Sequence, residues 1–458
     1  MMRAPAFKLL PRPQPMPLAG KRVLVLGLGD TGLSVACWVE RQGARTRIAD
    51  TRQAPPRRND FFGEFHGGPF QESLLKDIDL LCVSPGLSLD EPLVQEAIAR
   101  GIPVAGDIEL FAWHVRGTMD AKVVAVTGTN GKTTVTALTG HLLRAAGVAC
   151  EVAGNIGPAA LTSLLEAEQA AKKPAVWVLE LSSYQLETTW SLAPDAAAML
   201  NLSEDHFDRY AGLADYGAAK ARIFQGGGIQ ILNRDDARSM AMALEGAARM
   251  TFGLDAPKVA WDFGVRRAAL VHGDQEIIAV KDLPIHGAHN VANALAASAL
   301  ARSLGISIES LRTGLHTFKG LPHRLELVAT RGGVDWYDDS KGTNVGATVA
   351  ALKGLGRKAV LILGGEGKGQ DFAPLRAPVK EFATRVLLIG RDAPSIEKAL
   401  AGLPTERCAS LEQAVLRAAE VSNPGEAVLL SPACASFDMF RDYKHRGGAF
   451  ADAVRRLA

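Results

Sequence analysis

Lys132 and Thr133 stand directly after a glycine turn, Gly128-Thr129-Asn130-Gly131, which ends an apolar run, Val123-Val124-Ala125-Val126. A strand that breaks into a glycine loop and then a helix turns unpaired amide N–H groups and the positive end of the helix dipole toward an anion. Lys132 adds a point charge for β- and γ-phosphates, and the Thr133 hydroxyl is a Mg²⁺ ligand, with Thr134 continuing the helix start. The spacing departs from the standard phosphate loop, because Val126 stands where the first glycine belongs. The competing reading is a tight turn with a solvated lysine. Gly-Lys-Thr-Thr after a buried-type strand puts nucleotide binding ahead of it.

Three more stretches belong to the same chemistry. Gly154-Asn155-Ile156-Gly157 is a glycine-flanked turn, Val176 to Leu179 runs into Glu180-Leu181-Ser182-Ser183, and Ala196 to Asn201 runs into Ser203-Glu204-Asp205-His206. In a parallel sheet such strand ends meet at the edge that holds the phosphate loop. Glu180 and His206 are then placed to approach a Mg²⁺ between nucleotide and substrate. Either residue alone reads better as a helix-capping acid or a surface histidine; together they point to a metal site. A helix over Asp215 to Phe224 carries Lys220 beside Arg222, and its local pattern reads as an exposed lysine. In His286 to Asn293 a further helix opens with Asn290 and Asn293 one turn apart. Amides at that spacing share a helix face and fit either an adenine edge or an N-cap.

Before the phosphate loop, the strand Lys21 to Leu26 meets Gly27-Leu28-Gly29-Asp30-Thr31-Gly32, a helix over Leu33 to Glu40, and a strand Arg45 to Ala49 ending in Asp50. Taken alone this is a dinucleotide fingerprint, with an acid for a ribose diol. Thr51 and Arg52 after that acid suit a further phosphate or a uracil-type group equally well. A second loop, Ser84-Pro85-Gly86, follows the strand Asp79 to Val83. A strand over Ile102 to Ala105 and a short helix over Asp107 to Trp113 lead to a boundary near Arg116-Gly117.

After the hinge-like Leu321-Pro322-His323-Arg324-Leu325-Glu326, strands and helices alternate again. Strands end at Asp339-Ser340-Lys341-Gly342-Thr343, at Gly364-Gly365-Glu366-Gly367-Lys368, at Gly390, and at Ser431 through Phe437. Alternation of this kind predicts a doubly wound parallel sheet, with Lys, Thr and Ser at strand ends as a small anion would require. The fold expectation is therefore α/β in three domains: a Rossmann-like domain over 1–116 with a Pro-rich leader over 1–19, a P-loop-type ATP-binding domain over 117–320, and a doubly wound domain over 321–458.

The 458-residue chain exceeds one core. Its net charge of +2 and lack of basic runs exclude an electrostatic footprint for nucleic acid. Five scattered cysteines (Cys37, Cys82, Cys150, Cys408, Cys434) read as small core residues in a reducing compartment. With no signal-type apolar segment and no run of membrane-spanning length, cytoplasm is the expected location.

In their order and type these motifs resemble the Mur ligases, ATP-dependent amide-bond-forming enzymes of peptidoglycan precursor synthesis. The resemblance is carried by Thr127–Thr134, Gly154–Gly157, Glu180–Ser183, Asp205-His206, the Lys220 helix, His289–Asn293, Pro322–Glu326, Asp339–Lys341 and Gly364–Lys368, and covers nearly the whole chain after the Pro-rich leader. Within the family, the Gly27 to Gly32 loop with Ser84-Pro85-Gly86, and Ser431-Pro432-Ala433-Cys434-Ala435-Ser436, look like its D-glutamate-adding branch. The resemblance implies that Asp30, Thr31, Thr51, Arg52, Ser84, Pro85 and Gly86 hold the UDP part of UDP-N-acetylmuramoyl-L-alanine, that Ser182 also binds this substrate, and that Asn155 holds its muramoyl-alanine part near the reaction centre. It implies that Gly128, Thr129, Asn130, Gly131, Lys132, Thr133 and Thr134 cradle ATP, with Asn290 and Asn293 at adenine and Arg324 and Asp339 contributing from the third domain. Thr133, Glu180, His206 and Lys220 would serve two Mg²⁺ ions, Lys220 in carbamylated form. Lys341, Thr343, Lys368, Ser436 and Phe437 would bind D-glutamate.

The chemistry so implied is phosphorylation of the substrate carboxylate by ATP, attack of the D-glutamate amine on the acyl phosphate, and collapse of a tetrahedral intermediate with loss of phosphate. Lys132, His206, Lys220 and Asn155 are the expected catalytic residues; His206 as base for the amine competes with His206 as ligand. Closure of the third domain around Gly320 to His323 is expected to keep water out. The partners would be small molecules, the chain a monomer, with neither nucleic acid nor membrane. Rival readings are a nicotinamide-dependent oxidoreductase resting on Gly27 to Gly32 and Asp50, an ATP-gated binding protein, and another Mur or folylpolyglutamate-type ligase.

Overall fold

The computed structural model describes residues 10–206, 209–285 and 287–457. Pro5 of the Pro-rich leader and His286 of the amide motif lie outside the described residues. The chain forms two compact units. One comprises residues up to Val265 with Val271–Ile277 and Leu295–Gly314; the other comprises Arg266–Leu270, Ile278–Ala294 and Leu315–Ala458.

The first unit opens with five parallel strands: β1 (Arg22–Leu26), β2 (Arg45–Asp50), β3 (Glu64–Gly67), β4 (Leu80–Val83) and β5 (Val104–Ala105), in the order β3-β2-β1-β4-β5. Leu26 is level with Ala49 and Val83. Gly27, Asp50 and Ser84 therefore emerge side by side at the point where strand order reverses, which is where an open α/β sheet takes its ligand. The helix after β1 spans Asp30–Arg41. The helix expected over Asp107 to Trp113 runs on to Thr118, because Val115 is also buried and extends its apolar face.

The central sheet holds β6 (Lys122–Thr127), β7 (Cys150–Gly154), β8 (Val176–Glu180), β9 (Ala196–Met199), β10 (Ile229–Asn233), β11 (Arg249–Phe252), β12 (Phe263–Arg266), β13 (Ala269–His272) and β14 (Gln275–Ala279), in the order β14-β13-β12-β11-β10-β9-β6-β8-β7. Strands β6 to β10 pair in parallel, and their cores are almost wholly Val, Leu, Ile, Ala and Met, as burial on both faces requires. The register places Gly154, Glu180, Val126 and Ala198 in one row across four strands. The helix after β6 starts at Lys132 and ends at Ala145.

The last sheet, in the second unit, has β15 (Glu326–Arg331), β16 (Val334–Asp338), β17 (Ala359–Gly364), β18 (Ala383–Ile389), β19 (Thr405–Arg407) and β20 (Ala427–Leu430), in the order β15-β16-β20-β17-β18-β19. All neighbours are parallel except β15, which pairs antiparallel with β16 through the Gly332-Gly333 turn. The hinge-like stretch Leu321 to Glu326 runs into an edge strand that begins at Glu326. Asp338 is level with Leu430, and Leu430 with Ile362, so the loops after β16, β17 and β20 leave from one edge.

Candidate active site

The phosphate loop is built by its neighbours as much as by itself. Gly131 caps the following helix in a left-handed conformation, φ +85°, which a Cβ would disfavour. At Gly128 a Cβ would press within 3.0 Å of the Leu200 side chain. Asn201, from the loop after β9, clamps the turn: its side chain accepts from Asn130 N at 2.8 Å and donates to Asn130 O at 3.0 Å, while its carbonyl accepts from Thr129 N at 2.9 Å. The Thr129 hydroxyl bonds the backbone of Ser203. Lys132 lies over the loop, Nζ donating to Gly128 O at 2.9 Å and Thr129 O at 2.8 Å.

Glu180 ends β8 beside that loop and is buried. Asn155 Nδ2 donates to its Oε1 at 2.6 Å, and its Oε2 has no hydrogen-bond partner among the described residues. A buried carboxylate oxygen left unsatisfied is costly unless it serves a cation or a ligand. Gly154 is required for this approach, since a Cβ there would meet Glu180 O at 2.4 Å. Ser182 is occupied locally: it closes a reciprocal capping box with Gln185 at the start of the helix Ser183–Glu187. His206 has a left-handed backbone, φ +57°, and its Nδ1 lies 2.7 Å from the Tyr184 hydroxyl.

Lys220 overturns the expectation of an exposed lysine. Its side chain is 1% exposed, with Nζ donating to Gly128 O at 2.9 Å and lying 4.6 Å over the Tyr216 ring. The helix Leu213–Ala221 turns it inward because Tyr216, Gly217 and Ala219 share the buried face. Burial, followed by the nearby Lys132 charge, pushes its ammonium well below the ordinary lysine range, against the pull of Asp205 and Glu180.

The structure thus brings Lys132, Asn155, Glu180, His206 and Lys220 to the ends of β6, β7, β8 and β9. That donor set fits a divalent cation: a buried carboxylate with one open oxygen, an imidazole, and the Thr133 hydroxyl at the helix start.

In the first sheet, Asp50 is fully engaged. Leu28 N donates to its Oδ2 at 2.8 Å, and Arg52 contributes its backbone N–H and two guanidinium contacts of 2.8 Å. A nicotinamide cofactor's ribose would have to displace them. Asp30 pairs with Arg57 at 2.6 Å, and the Ser84 hydroxyl donates to Gly27 O at 3.1 Å. Gly32 packs so tightly that a Cβ would sit 1.8 Å from Gly27 O. Asp107 and Glu109 tie the two sheets of this unit together. Gln185 Nε2 donates to Asp107 at 3.0 Å, while Glu109 accepts from Trp190 N, Ser191 N and the Ser191 hydroxyl.

In the second unit, Asn293 Nδ2 donates to Asn290 Oδ1 at 3.1 Å, so the two amides do share a face. Desolvation pushes the Asp339 carboxyl up to about 7, against the Ser431 hydroxyl at 2.7 Å and the charge of Arg324. His323, beside Arg324, is pinned by its Nδ1 contact of 2.6 Å to buried Asp338, which raises its pKa. The loops after β17 and β20 are zipped together by reciprocal Glu366–Ala435 backbone bonds. Lys341 lies 4.0 Å over Tyr443, and Lys368 6.0 Å over the exposed Phe437 ring, whereas Ser436 is buried. Sequence reasoning does not find Arg446. This buried guanidinium donates to Ser340 Oγ, Ser340 O and Cys434 O, and so joins two of these loops. It misses Asn201, Tyr184, Arg209 and Tyr216 as well. Tyr184 and Arg209 flank motifs that carry the chemistry, and Asn201 closes the strand run before Ser203.

Residues 21–106 match the Mur ligase MurD-like N-terminal domain, residues 126–301 the Mur ligase middle domain, and residues 323–434 the Mur ligase glutamate ligase domain. The chain is 54% identical to a UDP-N-acetylmuramoylalanine–D-glutamate ligase of Nitrosospira multiformis, over 96% of this chain and 97% of that protein. It is 53% identical to the Thiobacillus denitrificans protein of the same name, with 96% and 97% covered. Among solved structures, MurF from Acinetobacter baumannii aligns with a TM-score of 0.62 at 19% identity, over 98% of this chain and 93% of that one, a likeness of fold.

Proposed function

The chain belongs to the Mur ligase family, and on that premise we propose that it joins D-glutamate to UDP-N-acetylmuramoyl-L-alanine, with cleavage of ATP, in peptidoglycan precursor synthesis. The observation that carries the chemistry is the meeting of Lys132, Lys220, His206 and half-satisfied Glu180 at the ends of neighbouring parallel strands. The choice of D-glutamate is supported by near-full-length likeness to proteins named for that reaction.

In this reading Gly128 to Thr134 cradle the ATP phosphates, and Lys132 leaves its loop carbonyls to meet the β- and γ-phosphates. Thr133, Glu180, His206 and a carbamylated Lys220 hold two magnesium ions. When bound, these would neutralise charge on the transferring phosphoryl group. Lys220 is suited to carbamylation because its buried amine is held toward the neutral form. That lone pair attacks CO₂, an N–C bond forms, and one proton is released to leave a carboxylate-like anion. Asn155 keeps Glu180 oriented and faces the muramoyl-alanine carboxylate, with Ser182 nearby.

That carboxylate attacks the γ-phosphorus and ADP leaves; the D-glutamate amine then attacks the acyl phosphate, giving a tetrahedral intermediate that expels phosphate. Asp30, Thr31, Thr51, Arg52 and Ser84-Pro85-Gly86 hold the UDP group. Asn290 and Asn293 serve adenine, Arg324 and Asp339 serve ATP, and Lys341, Thr343, Lys368, Ser436 and Phe437 take D-glutamate. The protein would act as a cytoplasmic monomer on small molecules; no described helix is long and apolar enough to cross a membrane.

The direct test is ATP-dependent phosphate release, screened over UDP-muramoyl acceptors and D- or L-amino acids. Release should require UDP-N-acetylmuramoyl-L-alanine and D-glutamate together. Release with a different pair would reassign the substrate, and no release with any pair would favour an ATP-gated binding protein.

A further inference from the structure

We propose that Tyr184, held by Arg209, is a positioning residue that fixes the His206 imidazole toward the metal and links it to the Ser84-Pro85-Gly86 loop. The inference rests on the reading of His206 as a metal ligand and goes beyond it in assigning what orients that ligand.

Tyr184 belongs to the short helix Ser183–Glu187, which starts three residues after Glu180. Its hydroxyl lies 2.7 Å from His206 Nδ1, and the two rings meet edge-on with centroids 4.9 Å apart. An imidazole that offers Nε2 to a cation must carry its proton on Nδ1, and the phenol oxygen is where that N–H can donate. His206 also needs outside support, because a left-handed backbone at a non-glycine residue is strained. Its amide N–H donates to Asp205 Oδ1 at 3.0 Å; its Nε2 lies 3.7 Å from Asp205 Oδ2 and its ring meets Tyr216 edge-on at 5.9 Å, while Tyr184 makes the 2.7 Å contact to Nδ1.

Tyr184 is itself fixed. The Arg209 guanidinium lies 4.6 Å over its ring, and Tyr210 stacks on it at 6.0 Å. Arg209 Nη2 pairs with Glu187 at 2.6 Å, both side chains largely buried, and Arg209 Nη1 donates to Pro85 O at 3.4 Å. A continuous set of contacts therefore runs from Pro85 through Arg209 and Tyr184 to His206, all within the first unit. Removing the Tyr184 hydroxyl leaves the ring stack in place but takes away the acceptor that selects the proton on Nδ1, and Asp205 and the Tyr216 ring alone do not fix which nitrogen faces the cation. The loss of such a supporting hydrogen bond lowers metal affinity roughly ten- to a hundredfold.

The test uses the full-length protein with Mn²⁺ and a nonhydrolysable ATP analogue, reading free Mn²⁺ by electron paramagnetic resonance. Tyr184→Phe should weaken at least one Mn²⁺ site by about tenfold or more, with an unchanged thermal midpoint, and His206→Ala should weaken the same site. Wild-type affinity in Tyr184→Phe with weakening in His206→Ala overturns the proposal and leaves the metal reading standing. Wild-type affinity in His206→Ala removes the metal reading, and the proposal with it. A second measurement needs no phenylalanine variant. In ¹⁵N-histidine-labelled wild-type protein with Mg²⁺ and nucleotide, the His206 signal, assigned by its loss in His206→Gln, should show the proton on Nδ1. A proton on Nε2 overturns the proposal.

Discussion

Asn155 Nδ2 holds one oxygen of the buried Glu180 carboxylate at 2.6 Å, and the other oxygen has no hydrogen-bond partner among the described residues. A group arranged this way reduces stability and is set up for a ligand. Glu180→Gln keeps the shape and removes the charge. Turnover should fall by roughly a thousandfold, while the thermal midpoint stays level or rises. A variant that loses stability and keeps its activity would make Glu180 a structural residue.

Lys220 should depend on CO₂. Lys220→Ala should cut turnover by about a thousandfold. In wild-type protein given ¹³C-bicarbonate, a carbamate carbon resonance should appear that is missing from Lys220→Ala. Full activity in CO₂-depleted buffer without such a resonance would leave Lys220 an unmodified amine.

Asn201 makes two side-chain hydrogen bonds to the Asn130 backbone, so its loss should loosen the phosphate loop. Asn201→Ala is expected to raise KM for ATP roughly tenfold or more, since two such bonds contribute about 1–3 kcal/mol. KM for the UDP substrate should change little. An equal rise in both would mean a general disturbance of the central sheet.

Asp107 gives a pH signature to the junction between the first two sheets. Burial pushes its carboxyl from 3.8 up to about 6, against the Gln185 hydrogen bond. Below the unfolded pKa both states carry the proton. Between the two values the folded state binds more, so stability falls as pH rises, and above about 6 the full cost, on the order of 3 kcal/mol, is present. Asp107→Asn retains an acceptor for Gln185 without the charge. Its thermal midpoint relative to wild type should climb by several degrees between about pH 4 and about pH 7. A difference that does not change with pH would deny Asp107 this role.

Much of this is legible in the sequence where the signal is local. The strand–loop–helix of Lys132, the acid ending β8 and the loops after β16, β17 and β20 all follow from apolar runs broken by glycine and polar residues. Lys220 is misread because burial is decided by what a helix packs against. Tyr216, one turn before Lys220, shares its face, but nothing between Leu213 and Ala221 records that Gly128 O, 92 positions away, waits on the inner side. The dinucleotide fingerprint is ambiguous for a related reason. Gly27 and Gly32 are needed for close packing whichever ligand binds, and whether Asp50 is free depends on the Arg52 rotamer. Asn201, Tyr184, Arg209 and Arg446 act across 22 to 106 positions of chain, beyond any window of spacing. Strands β12 to β14 are short and only partly apolar, so periodicity does not announce them.

The central claim is that the substrate carboxylate is activated by phosphorylation before the amine attacks. UDP-N-acetylmuramoyl-L-alanine carrying ¹⁸O in its terminal carboxylate should be turned over with ATP and D-glutamate, and the released phosphate analysed by mass. One ¹⁸O should pass into each phosphate, because the oxygen that attacks the γ-phosphorus leaves with it. Product formation with phosphate free of ¹⁸O would contradict the acyl phosphate, and with it the part that Lys132, Glu180 and Lys220 play in forming it.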